Sequence, residues 1–155
     1  MTESTGDLAA HDDVRPASDQ PSLALLLTQA ERSLRRQLDP ALAEAGLTFD
    51  HWRIITVLLA RPGIRMSAIA DEAVLPAATL TRHMDHLVGR AMVVRRIDPG
   101  DKRRVVAALS PMGEALALRL RVVERVVEEA IAQGLGAARF ATLSHELSLI
   151  PHLFD

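Results

Sequence analysis

Ala78-Thr79-Leu80-Thr81-Arg82-His83-Met84-Asp85-His86-Leu87, followed within twenty residues by a basic tip at Asp98-Pro99-Gly100-Asp101-Lys102-Arg103-Arg104, is the stretch on which the fold of this chain turns. Wound at 100° per residue, residues 77–91 put Leu80, Met84, Leu87, Val88 and Ala91 on one apolar stripe. The opposite side carries Thr79, Arg82 and His86, with Ala78, Asp85 and Gly89 beside them and His83 and Arg90 at the other edge. Thr81 falls roughly 60° from the centre of the stripe and reads as structural. Ahead of this helix, Ser67 is placed to cap a short helix over 68–73, and Val74-Leu75-Pro76 forms a tight turn between the two. Two short helices so joined have the dimensions of a helix-turn-helix, whose second helix has a polar face narrow enough for a DNA major groove. A surface helix of any helical protein also shows such a face, so the segment that follows matters.

Val93–Ile97 and Val105–Leu109 are rich in β-branched residues and are separated by a Pro-Gly-Asp turn. They predict one hairpin with Lys102, Arg103 and Arg104 at its tip, a wing able to reach an adjacent minor groove. Asp98 and Asp101 would repel phosphates, which predicts that they bond turn amides or orient the arginines. A charged hairpin of this kind is also compatible with a purely solvated turn. The helix pair and the basic wing in succession favour duplex DNA as the partner.

Outward from the centre, Leu23, Leu26, Leu27, Ala30, Leu34 and Leu38 recur at helical spacing, and that helix is expected to stop at Asp39-Pro40. A short piece over Ala41–Ala45 ends at Gly46, and Thr48 caps a further helix from about Phe49 to Arg61. Two more helices close the chain, Pro111 to about Gln133 and Ala137 to about Ile150, separated by Gly134 and Gly136. The fold class is therefore mainly α with one β-hairpin. Residues 1–20 lack apolar periodicity and read as a flexible acidic tail, 21–46 and 111–155 as dimerisation helices, and 47–110 as the winged helix-turn-helix. The leucine excess of the first and last helices exceeds what a winged domain can bury, which predicts a homodimer.

The net charge of -2 hides a division of charge along the chain. Residues 1–20 hold five acidic side chains against Arg15, whereas residues 61–104 hold nine basic against five acidic, so the middle of the chain is its basic face. With no cysteine, disulfides, thiolate metal sites and cysteine-based redox sensing are excluded. Neither a signal peptide nor a membrane span is legible, which predicts a cytoplasmic location and no membrane partner. Phosphate-binding loops, nucleophile elbows and paired His-Glu motifs are absent, so the residues offer nothing for an enzyme reading and call for no cofactor. His83 with His86, or His145 with His152, has metal-like spacing, but His83 and His86 face the DNA side of the wheel with no cluster of ligands around them except Asp85, which points elsewhere, and no metal site is predicted.

Ser67, Ala78, Thr79, Arg82, His83, His86, Arg90, Lys102, Arg103 and Arg104 are the expected DNA-binding residues. Among them Thr79, Arg82 and His86 are candidate base readers, and Ser67 a phosphate contact at a helix N-terminus. His51, Trp52 and Arg53 open the helix joining the two regions and are candidates for lining an effector pocket, against the plainer reading of Trp52 as core and His51 as helix surface. A winged module binding only protein partners stays as the alternative function.

The chain resembles the MarR family of bacterial transcriptional regulators from about Leu23 to the end. The residues that carry the resemblance are Leu47-Thr48-Phe49-Asp50-His51-Trp52, Ser67-Ala68-Ile69-Ala70, Leu80 to Leu87 in the quoted stretch, Asp98 to Arg103 in the wing, and Leu109-Ser110-Pro111-Met112-Gly113. The resemblance implies a homodimer joined by N- and C-terminal helices, a pseudo-palindromic operator, a ligand-responsive repressor, and a small aromatic or phenolic effector held between the two regions. Where the family has a glycine after the recognition helix this chain has Ala91, so Gly89 or a shifted helix end is expected to shape that turn.

Overall fold

The structure, a computed structural model, describes residues 21–154; the acidic tail expected over 1–20 lies outside the described residues. Six α-helices and a three-stranded sheet follow in the order α1 (Leu23–Glu44), α2 (Phe49–Ala60), β1 (Ile64–Arg65), α3 (Met66–Glu72), α4 (Ala77–Gly89), β2 (Val93–Asp98), β3 (Asp101–Leu109), α5 (Pro111–Leu135) and α6 (Ala137–Leu149), with a last 3-10 turn at Ile150–Leu153. The fold class is the expected one.

Helix α1 does not stop at Pro40 but runs through it to Glu44. Proline removes one main-chain hydrogen bond and costs about 3 kcal/mol in a helix interior. Leu38 and Leu42, on either side of it, are almost wholly buried and hold the helix together across the gap. Ser22 caps α1 by accepting the Leu25 N–H, and Thr48 caps α2 as expected. Ser67 caps nothing: α3 begins two residues earlier, with Arg65 at the cap position and Ser67 exposed inside the first turn. The earlier start follows from β1, a two-residue strand missed in the sequence because it is too short to show alternation. Gly63, at φ +77°, turns the chain into it, and Ile64 and Arg65 pair antiparallel with Ala107 and Val106. β3 is thus the central strand, flanked by β1 and β2.

The core gathers Leu42 of α1, Ile54, Ile55 and Leu58 of α2, Ile69 of α3, Leu80, Met84 and Leu87 of α4, Val93 of β2, and Leu116 and Leu120 of α5. Each such side chain contributes about 1.5–3 kcal/mol on burial, so the three from α4 decide which of its faces turns outward. Val88 and Ala91, expected on the same stripe, are exposed. Removing them moves the stripe's centre away from Thr81, which is exposed and donates its hydroxyl to the Ala77 carbonyl. Thr79, on the other flank, is half-buried.

Both ends of α4 are reached through residues in the left-handed region: Val74 at φ +53° in the turn from α3, and Ala91 at φ +54° in the turn to β2. Ala91 itself takes the conformation for which glycine is suited, while Gly89 remains helical. At the far end of the chain Gly134 is likewise helical, and Gly136, at φ +88°, alone breaks α5 from α6.

Candidate nucleic-acid interface

The outward face of α4 presents Ala78, Arg82 and His86 to solvent, with Thr79 and His83 half-buried at its margin. Arg82 enters no ion pair among the described residues. Asp85, on the other flank, binds Arg95 of β2 at 2.8 Å and so ties the helix to the wing. Arg90 points back into the fold, where its Nη1 donates to the carbonyls of Ala45 and Gly46 at 2.9 and 2.8 Å. It therefore serves as a clamp on the α1–α2 loop, a role its place at the edge of the polar face did not reveal. Glycine suits position 46 there, because its φ of +67° lies in the left-handed region that side-chain-bearing residues rarely adopt.

The wing is built as its sequence implied. Pro99 and Gly100 turn the chain between the paired Asp98 and Asp101, and a register shift after Ile97 sharpens the tip. Asp98 Oδ1 accepts the Gly100 N–H at 2.8 Å, and Asp101 Oδ1 accepts the Arg103 N–H at 3.0 Å. Asp101 Oδ2 also pairs with Arg104 Nε at 2.8 Å. Lys102 and Arg103 are exposed and form no ion pair among the described residues. Both aspartates therefore shape the tip, leaving Lys102 and Arg103 as its outward charges.

Behind α4, the first turn of α2 brings together residues that the sequence did not connect. Thr48 and His51 cap one another: the Thr48 N–H donates to His51 Nδ1 at 3.0 Å, and the Thr48 hydroxyl accepts the His51 N–H. His51 is 5% exposed, which excludes the helix-surface reading. Its Nε2 lies 3.0 Å from His83 Nδ1, and the His86 ring stacks on it at 4.6 Å between centroids and 14° between planes. His83 Nε2 in turn faces Asp50 Oδ2 at 3.5 Å, and Arg53 shares that carboxylate at 3.5 Å. Desolvation first, then the neighbouring His83 and His86, lower the His51 imidazole to about 4, with Asp50 opposing the shift. Histidine is unusual at the third position of a capping box, where glutamate or glutamine is the expected signal. Among the described residues no group of three or more histidine, cysteine or acidic side chains is arranged to hold a metal ion.

His51, Trp52 and Arg53 do not gather around one cavity, because consecutive helical residues point about 100° apart. Trp52 stacks on Phe49 at 4.6 Å and donates its indole N–H to Glu124 of α5. Glu124, 7% exposed, also accepts from Arg121 at 2.6 Å, a bond that raises the Arg121 guanidinium further. The signal for Glu124 was present: it sits four residues after Leu120 and one after Val123, on the apolar side of its helix. A hollow of about 260 Å³ between α1 and α5 is lined by Ala41, Glu44, Leu116, Arg119, Leu120 and Val123, none of them a predicted pocket residue.

Comparison with known proteins places this arrangement. Residues 45–104 match the model of the MarR family. The chain is 30% identical over 140 residues to the HTH-type transcriptional regulator FarR of Neisseria gonorrhoeae, covering 89% of this chain and 94% of that protein. It is 27% identical over 112 residues to the homoprotocatechuate degradative operon repressor of Escherichia coli, 72% of this chain and 74% of that protein. Among solved structures, NadR in complex with 4-hydroxyphenylacetate superposes with a TM-score of 0.79 at 28% identity, covering 85% of this chain and 94% of that one. A relative aligned over nearly its whole length and a family model that spans the helix pair and the wing tip agree, and the chain belongs to the MarR family of winged helix-turn-helix transcriptional regulators.

Proposed function

We propose that this regulator acts as a cytoplasmic homodimeric repressor, with each α4 in a major groove of a pseudo-palindromic operator and each wing reaching the flanking minor groove. The observation that carries the reading is the division of labour among the cations. Arg95, Arg104 and Arg90 are each held by partners within the fold, whereas Arg82 on α4 and Lys102 and Arg103 on the wing are exposed and make no ion pair among the described residues. Cations left without internal partners on one helix and one tip are what phosphate attraction requires. Thr79, Arg82 and His86 remain the proposed base readers, with Ala78 beside them at the groove and Ser67 as a phosphate contact. His83 and Arg90 contribute by holding α4 in place.

Dimerisation through residues 21–46 and 111–155 is supported by unburied apolar surface. Every residue of α1 from Leu23 to Gln37 is exposed, and α6 contains no buried residue although it carries Leu143, Leu147 and Leu149. A second copy covering these helices would set the two α4 helices about 34 Å apart, one turn of duplex.

The effector is a small aromatic or phenolic acid, a reading supported by the likeness to a repressor of homoprotocatechuate degradation and to a protein solved with 4-hydroxyphenylacetate. Of the predicted trio only Trp52 faces α5, so binding would run through the Trp52–Glu124 contact, with His51 and Arg53 acting on the α4 side. No helix among the described residues is long and apolar enough to cross a membrane.

The test is binding of the chain to duplexes enriched from a random pool, measured against salt. A steep negative slope of log K against log salt supports the reading; a slope near zero favours the protein-binding module instead.

A further inference from the structure

Three histidines from two helices meet at the joint between the α1–α2 loop and the recognition helix, and their hydrogen bonds have a fixed direction. The Thr48 N–H can only donate, so His51 Nδ1 must accept and carries no proton. The remaining proton of a neutral His51 is then on Nε2, which donates to His83 Nδ1. That leaves the His83 proton on Nε2, facing Asp50. The order Thr48 N–H, His51, His83, Asp50 is thus satisfied by two neutral rings, each in one tautomer. A proton added to His83 Nδ1 sets two donors against each other 3.0 Å apart, and a proton added to His51 Nδ1 opposes the Thr48 N–H. Asp50 favours protonation of His51, while burial, His83, His86 and Arg90 oppose it, and Asp50 is itself paired with Arg53.

We propose that His51 is a positioning residue for DNA recognition: it holds His83 by a directed hydrogen bond and His86 by ring stacking, so that α4 is seated for its operator only while this three-histidine array is neutral. Operator affinity then falls on acidification. This sign is opposite to that of simple electrostatics, since histidines gaining charge beside phosphates would strengthen binding. The inference rests on the reading of α4 as the DNA-reading helix, and the experiment separates the two.

A duplex enriched against the full-length chain at neutral pH is labelled, and its dissociation constant is measured by fluorescence anisotropy at constant ionic strength from about pH 7.5 to 5.5. The wild-type chain is expected to bind severalfold more weakly at the lower pH. His83→Asn keeps an acceptor near the position of Nδ1 but cannot take up the proton, so its affinity ratio between the two pH values should fall to near one, whatever its affinity at neutral pH. Long-range proton–nitrogen NMR correlations of the histidine rings, in the chain as it stands, should show His51 with its proton on Nε2 at neutral pH. Affinity that holds or rises on acidification in the wild-type chain, an unchanged ratio in His83→Asn, or a proton on Nδ1 of His51 each overturns the proposal. Failure to enrich any duplex overturns the DNA-binding reading, and the proposal with it.

Discussion

Removing the imidazole of His51 should alter how fold stability depends on pH, and the size of the change follows from its surroundings. The ring is 5% exposed, and its pKa is lowered from 6.5 to about 4, so the folded chain keeps it neutral where the unfolded chain protonates it. Between those values the unfolded state binds more protons, and stability falls as pH falls. Above about pH 6.5 His51 contributes no pH dependence. The loss attributable to it is about 1 kcal/mol at pH 5.5 and about 2–3 kcal/mol at pH 4.5. His51→Asn retains an acceptor for the Thr48 N–H but does not titrate. Urea unfolding of the wild-type chain and of this variant, at one protomer concentration because the proposed dimerisation would add to stability, gives the comparison directly. The variant should be the less stable at pH 7.5, and the gap between the two should close by about 2–3 kcal/mol at pH 4.5. Parallel stability curves would refute the reasoning, since the acid sensitivity would then arise from other groups.

Other perturbations probe separate parts of the molecule. Ala91→Gly relieves a left-handed alanine and should stabilise the fold by about 1 kcal/mol, read as a rise in Tm of about 2–4 °C. Gly113→Ala should do the opposite and more strongly, by at least ~3 kcal/mol, because its Cβ would stand 2.0 Å from the Met92 carbonyl oxygen; wild-type stability in urea melts would contradict this. Arg103→Ala is expected to weaken binding to all duplexes alike and to reduce the salt slope by about one, and an unchanged affinity at moderate salt would mean that the wing does not touch DNA. A double-mutant cycle of Trp52→Phe and Glu124→Gln should show coupling of about 0.5–3 kcal/mol in unfolding free energy, whereas additive effects would mean that the α2–α5 contact contributes little.

The elements whose pattern is long and local were legible in the sequence. The apolar stripe of α4, the Ser110-Pro111 start of α5 and the Asp-Pro-Gly-Asp tip each declare themselves within a few residues, and the structure contains them. What stayed hidden depends on partners far along the chain. Pro40 reads as a stop, and only the burial of Leu38 and Leu42 against other helices carries the backbone through it. β1 exists because β3 offers it an edge. Arg90 looks like one more cation on a polar face until the carbonyls of Ala45 and Gly46 come within reach. Likewise His51, His83 and His86 are separate marks in the sequence. A contact spanning 32 positions makes them one group. The exposed wing cations were easier to foresee, because an uncompensated surface charge needs no distant partner.

At the base of the wing, Ser110 donates its hydroxyl to the Ala91 carbonyl and accepts the Gly113 N–H, while the bare Cα of Gly113 lies against the Met92 backbone. The end of the recognition helix, the root of the wing and the first turn of α5 are in effect riveted at one point. A rivet leaves no slack, so α5 acts as a lever whose short end is the DNA-reading lobe. Its 25 residues span about 37 Å, and a tilt of about 5° sweeps the far end by ~3 Å. In the proposed dimer, a small change in how the two α5 helices cross would re-space the reading heads without bending anything inside either head. An effector wedged beside α5 could thus change the grip on DNA while remaining remote from every base.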